Sequence, residues 1–447
     1  MKIAIAKIWG AAALAALCMP YIAGAQEEPL PQTVFTNVAV WDGTSEELQT
    51  GMNVLIEGNK VARISAESIP TSGAVVVDGN GRTLMPGLID MHTHVMFPQG
   101  LPAHENMWTP ATSGAMAREG FDVYLRQGFT TLRDMCGPAN LALARAAGVI
   151  SGPRLYSSGA CIGSTGGHTD WGNGTDKLGD VSTHMEAGNS WVVNSPDEVR
   201  AAARQNFRDG ATFLKLMVGG GVASSFDPLE SITFSAPEIR AAVEVAEQFD
   251  SFVCIHVYHS AHINLALDVG VRCIEHGFLM DEETMRRMAK EEIVLSAQSY
   301  MSYVAFLDPA GIPGFGPEQV AKGIQVNKGA DAMFNYAAEH EVDIFSGADV
   351  YTYDLLPKAI LNVTTLERWF TPVQSLKAAT STAGKWLMNT GPKNPYKEAQ
   401  LGTLVEGSYA DVILVDGNPL QNLKLLENYE ETIDLVMVDG EVYVDNR

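Results

Sequence analysis

The chain has 447 residues, 46% apolar and 19% charged, with a formal net charge of −23. That length and apolar content suffice for one large α/β core plus a smaller domain, and they exclude a disordered protein. The acid excess belongs to a solvated surface and argues against nucleic acid and anionic membranes as partners.

At the N-terminus, Lys2 and Lys7 flank the start of an apolar stretch from Ile8 to Ala23, which ends in Ala23-Gly24-Ala25 before Gln26-Glu27-Glu28. This pattern predicts a cleavable secretory signal over residues 1–25, cut after Ala25, and a secreted or periplasmic product. The run falls short of the ~20 residues a spanning helix needs, so no membrane attachment is expected after cleavage. Leu17 ahead of Cys18, where a small residue belongs, argues against a lipoprotein site. Four cysteines remain: Cys136, Cys161, Cys254 and Cys273. An oxidising compartment permits disulfides, but Cys161, Cys254 and Cys273 lie in apolar strand-like runs that favour buried thiols, and the sequence assigns no pairing.

From Thr33 to Leu84, short alternating runs end in glycine turns, as in Asn53-Val54-Leu55-Ile56-Glu57-Gly58. These predict β-strands. The texture returns at Ala410–Gly417 and Leu435–Val444. Residues 26–84 and 391–447 are therefore expected to build one small β-sandwich domain from both termini.

Between them, over 85–390, strand and helix patterns alternate. Eight candidate strands end near His94, Asp134, Cys161, Lys215, His256, His276, Ser296 and Asp349. Amphipathic stretches at Ser195–Arg208, Ala236–Gln248 and Asp281–Lys290 supply helices with N-cap signals at Ser195-Pro196 and Ser235-Ala236-Pro237-Glu238. Eight such units predict an α/β fold, a (β/α)8 TIM barrel, whose active site lies at the C-terminal strand ends. Gly219-Gly220-Gly221 reads as a βα loop; a phosphate cradle would need a following Lys-Ser/Thr.

The polar residues on that rim form a set. His92 and His94 lie two apart in Met-Pro-Gly-Leu-Ile-Asp-Met-His-Thr-His-Val (85–95), so both imidazoles project from one strand face. Strand 4 adds Lys215, strand 5 His256, strand 6 His276 and strand 8 Asp349. A lone strand histidine is usually a core residue, and an Asp after Gly is usually a turn. Six ligand-capable side chains at the correct ends of the correct strands instead predict a metal centre.

The His-x-His after Pro-Gly-Leu-Ile-Asp, the strand-4 lysine, the two later histidines and the Gly-Ala-Asp run resemble the binuclear-metal branch of the amidohydrolase superfamily. The likeness covers essentially the whole mature chain. It implies that His92, His94 and Asp349 bind one divalent ion and His256 and His276 a second. Lys215, carboxylated by CO2, would bridge ions about 3.5–4 Å apart. Imidazole and carboxylate ligands suit Zn2+ best and admit manganese or cobalt. The resemblance further implies attack on an amide carbonyl by a metal-bridging hydroxide, with Asp349 moving the proton to the leaving amine.

The loop Gly166-Gly167-His168-Thr169-Asp170 and the pair His256-Val257-Tyr258 resemble the Xaa-Pro dipeptidase-like branch, which includes enzymes similar to ochratoxinase. There the matching histidine and tyrosine contact the substrate carbonyl or carboxylate, so His168 and Tyr258 become catalytic candidates. Loop packing for His168 and aromatic packing for Tyr258 stay open. Substrates implied are dipeptides, N-acyl amino acids or ochratoxin-like amides, and a homo-oligomer is expected. A cyclic amidohydrolase or deaminase would generally run on one metal without the lysine, so Lys215 argues against it. Loss of activity in a retained scaffold conflicts with all six ligand positions being filled.

His259 and His262 fall beyond the strand end and are expected outside the ligand set. His104 and His184 lie in βα loops that can line the pocket; Trp108, Trp171 and Trp191, in such loops too, can wall a hydrophobic pocket or pack against a neighbouring subunit. Arg133, Arg154 and Arg272 are candidates for holding a substrate carboxylate.

Overall fold

The computed structural model describes residues 30–95, 109–172 and 174–447. The expected signal segment 1–25, with His104 and Trp108, lies outside them. Five strands come first: β1 (Gln32–Val40), β2 (Gln49–Glu57), β3 (Lys60–Ser65), β4 (Val75–Asp78) and β5 (Thr83–Pro86). Valine and isoleucine dominate their inward positions, where branched side chains suit a pleated surface.

The next ten strands alternate with helices: β6 (Leu88–Thr93), β7 (Phe129–Asp134), β8 (Arg154–Ser157), β9 (Cys161–Gly163), β10 (Ser190–Val192), β11 (Leu214–Met217), β12 (Val253–His259), β13 (Cys273–Leu279), β14 (Val294–Ala297) and β15 (Ile344–Ser346). The order β6-β7-β8 forms one parallel run and β10-β9-β11-β12-β13-β14-β15 the other. Each of the eight expected strands is present. The third is split between β8 and β9, and β10 is an added strand beside β9. The expected helices form at Pro196–Asp209, Ala236–Gln248 and Glu282–Lys290. Ser195 and Asp281 cap the first and third by accepting from Glu198 and Thr284 amides.

The circle closes between β15 and β6. The Asp349 amide donates to the His92 carbonyl at 2.8 Å, and the Ala348 amide donates to the Asp90 carboxylate at 2.9 Å. Only a residue without a side chain permits this approach: a Cβ on Gly347 would lie 2.6 Å from His92 Cβ and 3.0 Å from Ser296 Oγ. Inside the barrel, Ile89, Phe213, Cys254, Cys273 and Phe345 pack together. Phe213 and Cys254 sit two residues before Lys215 and His256, so on those strands the period-two alternation that fills the core also aims the rim side chains inward.

After the barrel, β16 (Val412–Val415), β17 (Ile433–Val438) and β18 (Glu441–Asp445) return to the first strands. β16 pairs with β5, giving one eight-stranded sheet from both ends of the chain. Phe35, Val54, Leu84, Val412 and Leu435 are among the residues that form its core. No helix among the described residues is long and apolar enough to cross a membrane.

The cysteines depart from the sequence reading. Cys136 is joined to Cys161, and Cys254 to Cys273, instead of forming four buried thiols. The second pair follows from strand register, because Cys254 and Cys273 are directly opposed on β12 and β13.

Candidate active site

All eight residues singled out from the sequence line a single cleft: His92, His94, His168, Lys215, His256, Tyr258, His276 and Asp349. It encloses about 710 Å³, part of it open to solvent. Asp349 Oδ1 lies 3.0 Å from His94 Nε2 and 3.5 Å from His92 Nε2, and its Oδ2 lies 3.8 Å from His276 Nδ1. His92, His276 and Asp349 offer ligand atoms all within 4.8 Å of one another. The His256 ring completes the chain of imidazoles, 4.4 Å from His276 between centroids.

Two of these ligands sit on unusual backbone. His276 has φ +74° and Asp349 φ +52°, in the left-handed region that non-glycine residues seldom occupy. At a strand end such a conformation turns the side chain off the regular alternation, and strain of this kind gathers at functional positions.

Burial sets the charge states. Desolvation pulls His92 and His256 well below the ordinary imidazole range and His276 down to about 4, so each is neutral near pH 7, the form that binds metal. Burial opposes ionisation of Asp349, but His92, His94 and His276 outweigh it and hold its carboxyl well below the usual range. Lys215 is fully enclosed, and desolvation lowers it to about 8. Its Nζ has no hydrogen-bond partner among the described residues. A buried amine without a partner is costly, so this position calls for a group that satisfies the nitrogen. The donor set therefore fits a divalent metal centre, with His92, His276 and Asp349 close enough to share one ion and His94, Lys215 and His256 lining the same cleft.

Residues that the sequence reading missed hold these ligands. His92 Nδ1 donates to Glu275 Oε2 at 2.7 Å, and Arg133 Nη2 clamps the other carboxylate oxygen at 2.6 Å. His276 Nδ1 donates to Gln298 Oε1 at 2.8 Å. Both contacts fix the tautomer that leaves Nε2 free to ligate. Glu275 precedes His276 and Gln298 follows β14 by one residue, so strand ends were the signal that could have found them.

His168 stacks on His256, with ring centroids 4.1 Å apart, and Tyr258 meets His276 at 5.5 Å. Burial raises the Tyr258 hydroxyl well above its ordinary range, so it keeps its proton. Trp171, Phe278, Met301 and Phe306 give the cleft apolar walls. Trp191 points away, donating to Asn206, and His184 packs behind Trp171. His259 and His262 do not line the cleft. None of the three candidate arginines reaches it either: Arg133 lies under the ligands, Arg154 pairs with Asp411, and Arg272 donates to the Glu291 carbonyl.

The chain is similar to known proteins over most of its length. Ochratoxinase of Aspergillus niger is 33% identical over 362 residues, which cover 77% of this chain and 72% of that protein. Among solved structures, a prolidase complexed with N-methylphosphonate-L-proline superposes with a TM-score of 0.85 at 29% identity, covering 93% of this chain and 100% of the other. A Xaa-Pro dipeptidase with bound methionine in its active site gives 0.81 at 27% identity, with 92% and 100% covered. The model of the amidohydrolase family matches residues 83–443, from the first barrel strand's approach to the last strand of the terminal sheet, and this chain belongs to that family.

Proposed function

We propose that this protein is an exported, metal-dependent hydrolase of C–N bonds that cleaves the amide of dipeptides, N-acyl amino acids or ochratoxin-like amides. The observation that carries the reading is the enclosed Lys215 amine, without a hydrogen-bond partner among the described residues, beside the neutral imidazoles of His92, His256 and His276 and the Asp349 carboxylate. Two divalent ions, Zn2+ foremost, supply at such ligands a Lewis-acid centre and a lowered pKa for water. The chain's own groups do the rest. Asp349, ionised and central, accepts a proton and returns it to the leaving nitrogen. His168 and Tyr258 face the carbonyl oxygen or the substrate carboxylate as hydrogen-bond donors, a role worth on the order of 3 kcal/mol each. The apolar walls exclude water and receive a hydrophobic substituent.

The relatives' names, an ochratoxinase and a prolidase, support amides bearing a free carboxylate. Two disulfides support export. The shared core of the terminal strands supports their closing as a β-sandwich, and a homo-oligomer is part of the same reading. Metal analysis of the purified protein, paired with a screen of dipeptides and N-acyl amino acids for amino-acid release, tests it. Two equivalents of metal with hydrolysis are expected; no metal uptake and no turnover after adding zinc and bicarbonate would make the chain a scaffold.

A further inference from the structure

The glycine run Gly219-Gly220-Gly221 after β11 has no part in the ligand set, yet it lies against it. A Cβ on Gly221 would stand 1.9 Å from His168 Nδ1. The missing side chain therefore lets the His168 ring lie directly on this loop. Beyond the glycines the chain turns back and buries Asp227, which is 1% exposed. Asp227 Oδ2 accepts from the Gly221 amide at 2.7 Å and lies 3.6 Å from His168 Nδ1. Ser224 Oγ lies 2.6 Å from the same Nδ1 and donates to the Gly221 carbonyl at 3.3 Å. Its oxygen is therefore free to accept the ring proton.

The loop is pinned from outside by Lys322, on the helix Pro317–Glu339. Its buried ammonium donates to the carbonyls of Gly221 at 3.1 Å and Ser224 at 2.9 Å, and stands 3.8 Å from Asp227 Oδ1. That carboxylate oxygen has no hydrogen-bond partner among the described residues. A carboxylate taken out of water in this way is expensive, and the charge is retained: burial opposes it, but His168, Ser224 and the Gly221 amide hold the Asp227 carboxyl below its usual range.

We infer that Asp227 and Ser224 are positioning residues for His168, fixing its imidazole with Nδ1 toward the loop and Nε2 toward the cleft. The inference rests on the role given to His168 under the proposed function. His168 comes from the loop after β9 and Asp227 from the loop after β11, the strand that carries Lys215. The arrangement thus links the substrate-facing histidine to the strand that holds the bridging group. With the carboxylate gone, the ring keeps its stack on His256 but is held by Ser224 alone and can shift within the ring plane. A displacement of about 1 Å at a reacting group costs on the order of 100-fold.

A double-mutant cycle on the metal-loaded enzyme tests this. Asp227→Ala is expected to lower kcat about 100-fold with KM and metal content held. Asp227→Asn, whose amide oxygen can still accept, recovers most of the loss. In a His168→Ala background, Asp227→Ala changes kcat less than about twofold, because the two residues act through one group. Equal losses in both backgrounds, or loss of metal in Asp227→Ala, would overturn the inference and make Asp227 a loop-folding residue. The downfield proton NMR signal of the His168 ring N–H gives a readout independent of turnover. It is expected in the native protein, absent in His168→Ala and lost when Asp227→Ala is combined with Ser224→Ala; its persistence in that double variant would also overturn the inference. Failure of every amide to turn over would sink the proposed function while leaving the ring signal to decide the positioning.

Discussion

Lys215 sits in an environment far from the one its side chain prefers. A lysine ammonium is strongly hydrated, yet this one is fully enclosed and held near 8. Lys215→Ala is expected to lose bound metal and nearly all activity, with short carboxylic acids restoring part of both; a mutant that retains two metals would refute the bridging role. Glu275 is the second test at this scale. It joins His92 to Arg133, so Glu275→Gln keeps a hydrogen bond but removes the charge, and metal affinity is expected to fall about 10–100-fold. Metal titration of the variant checks this, and unchanged affinity would reduce Glu275 to a counter-ion for Arg133.

Among elements, the junction of β15 with β6 carries the most, because it brings Asp349 to His92 and His94 from the opposite end of the barrel sequence. Gly347→Ala forces a methyl against His92 Cβ. The expected cost is about 1–3 kcal/mol of stability together with weaker metal binding; thermal unfolding and metal titration read the two effects, and an unchanged affinity would show that the ligands absorb the shift. This junction also marks the limit of sequence reasoning. The strand ends at Lys215 and His256 are legible because ligand and core positions obey one alternation, each lying two residues after a core residue, Phe213 or Cys254. The left-handed backbone at His276 and Asp349 is not, since neither residue type announces it. Nor are Glu275 and Gln298 legible as supports, because their roles depend on which strand lies beside which. The Cys254–Cys273 link was misread for the same reason: apolar neighbours suggest a thiol, whereas strand register decides the partner.

At the scale of the molecule, the barrel and the terminal sheet meet at Arg154. From β8 its guanidinium reaches Asp411 at 2.6 Å and Asp439 at 2.8 Å, and it lies over the Tyr409 ring at 3.8 Å. Removing one partner of a buried ion pair leaves the other uncompensated, so Arg154→Met is expected to cost about 3–5 kcal/mol while two metals stay bound; a calorimetric scan with metal analysis separates the outcomes. Acid stability is a property of the whole as well. In metal-free protein, His92, His256 and His276 are neutral when folded and protonate near pH 6.5 when unfolded. The unfolded chain then binds more protons, so stability is complete above about pH 6.5 and declines as pH falls toward 4, on the order of 3 kcal/mol from His276 alone. Burial pushes Asp90 up to about 7, which acts in the opposite sense, but three imidazoles outweigh one carboxyl. Unfolding curves of chelated protein between pH 4 and 7 check the sign, and a flat profile would contradict it.

The pairing of β5 with β16 sets Leu84 against Leu414 and Thr83 against Val415. A chain made from its N-terminus has β5 long before β16 exists. Throughout synthesis of the intervening barrel, one edge of β5 is an open hydrogen-bonding template, and Arg154 waits for Asp411 and Asp439. The final strands are the fastening of the molecule, and the nascent protein is exposed to misassociation until they arrive.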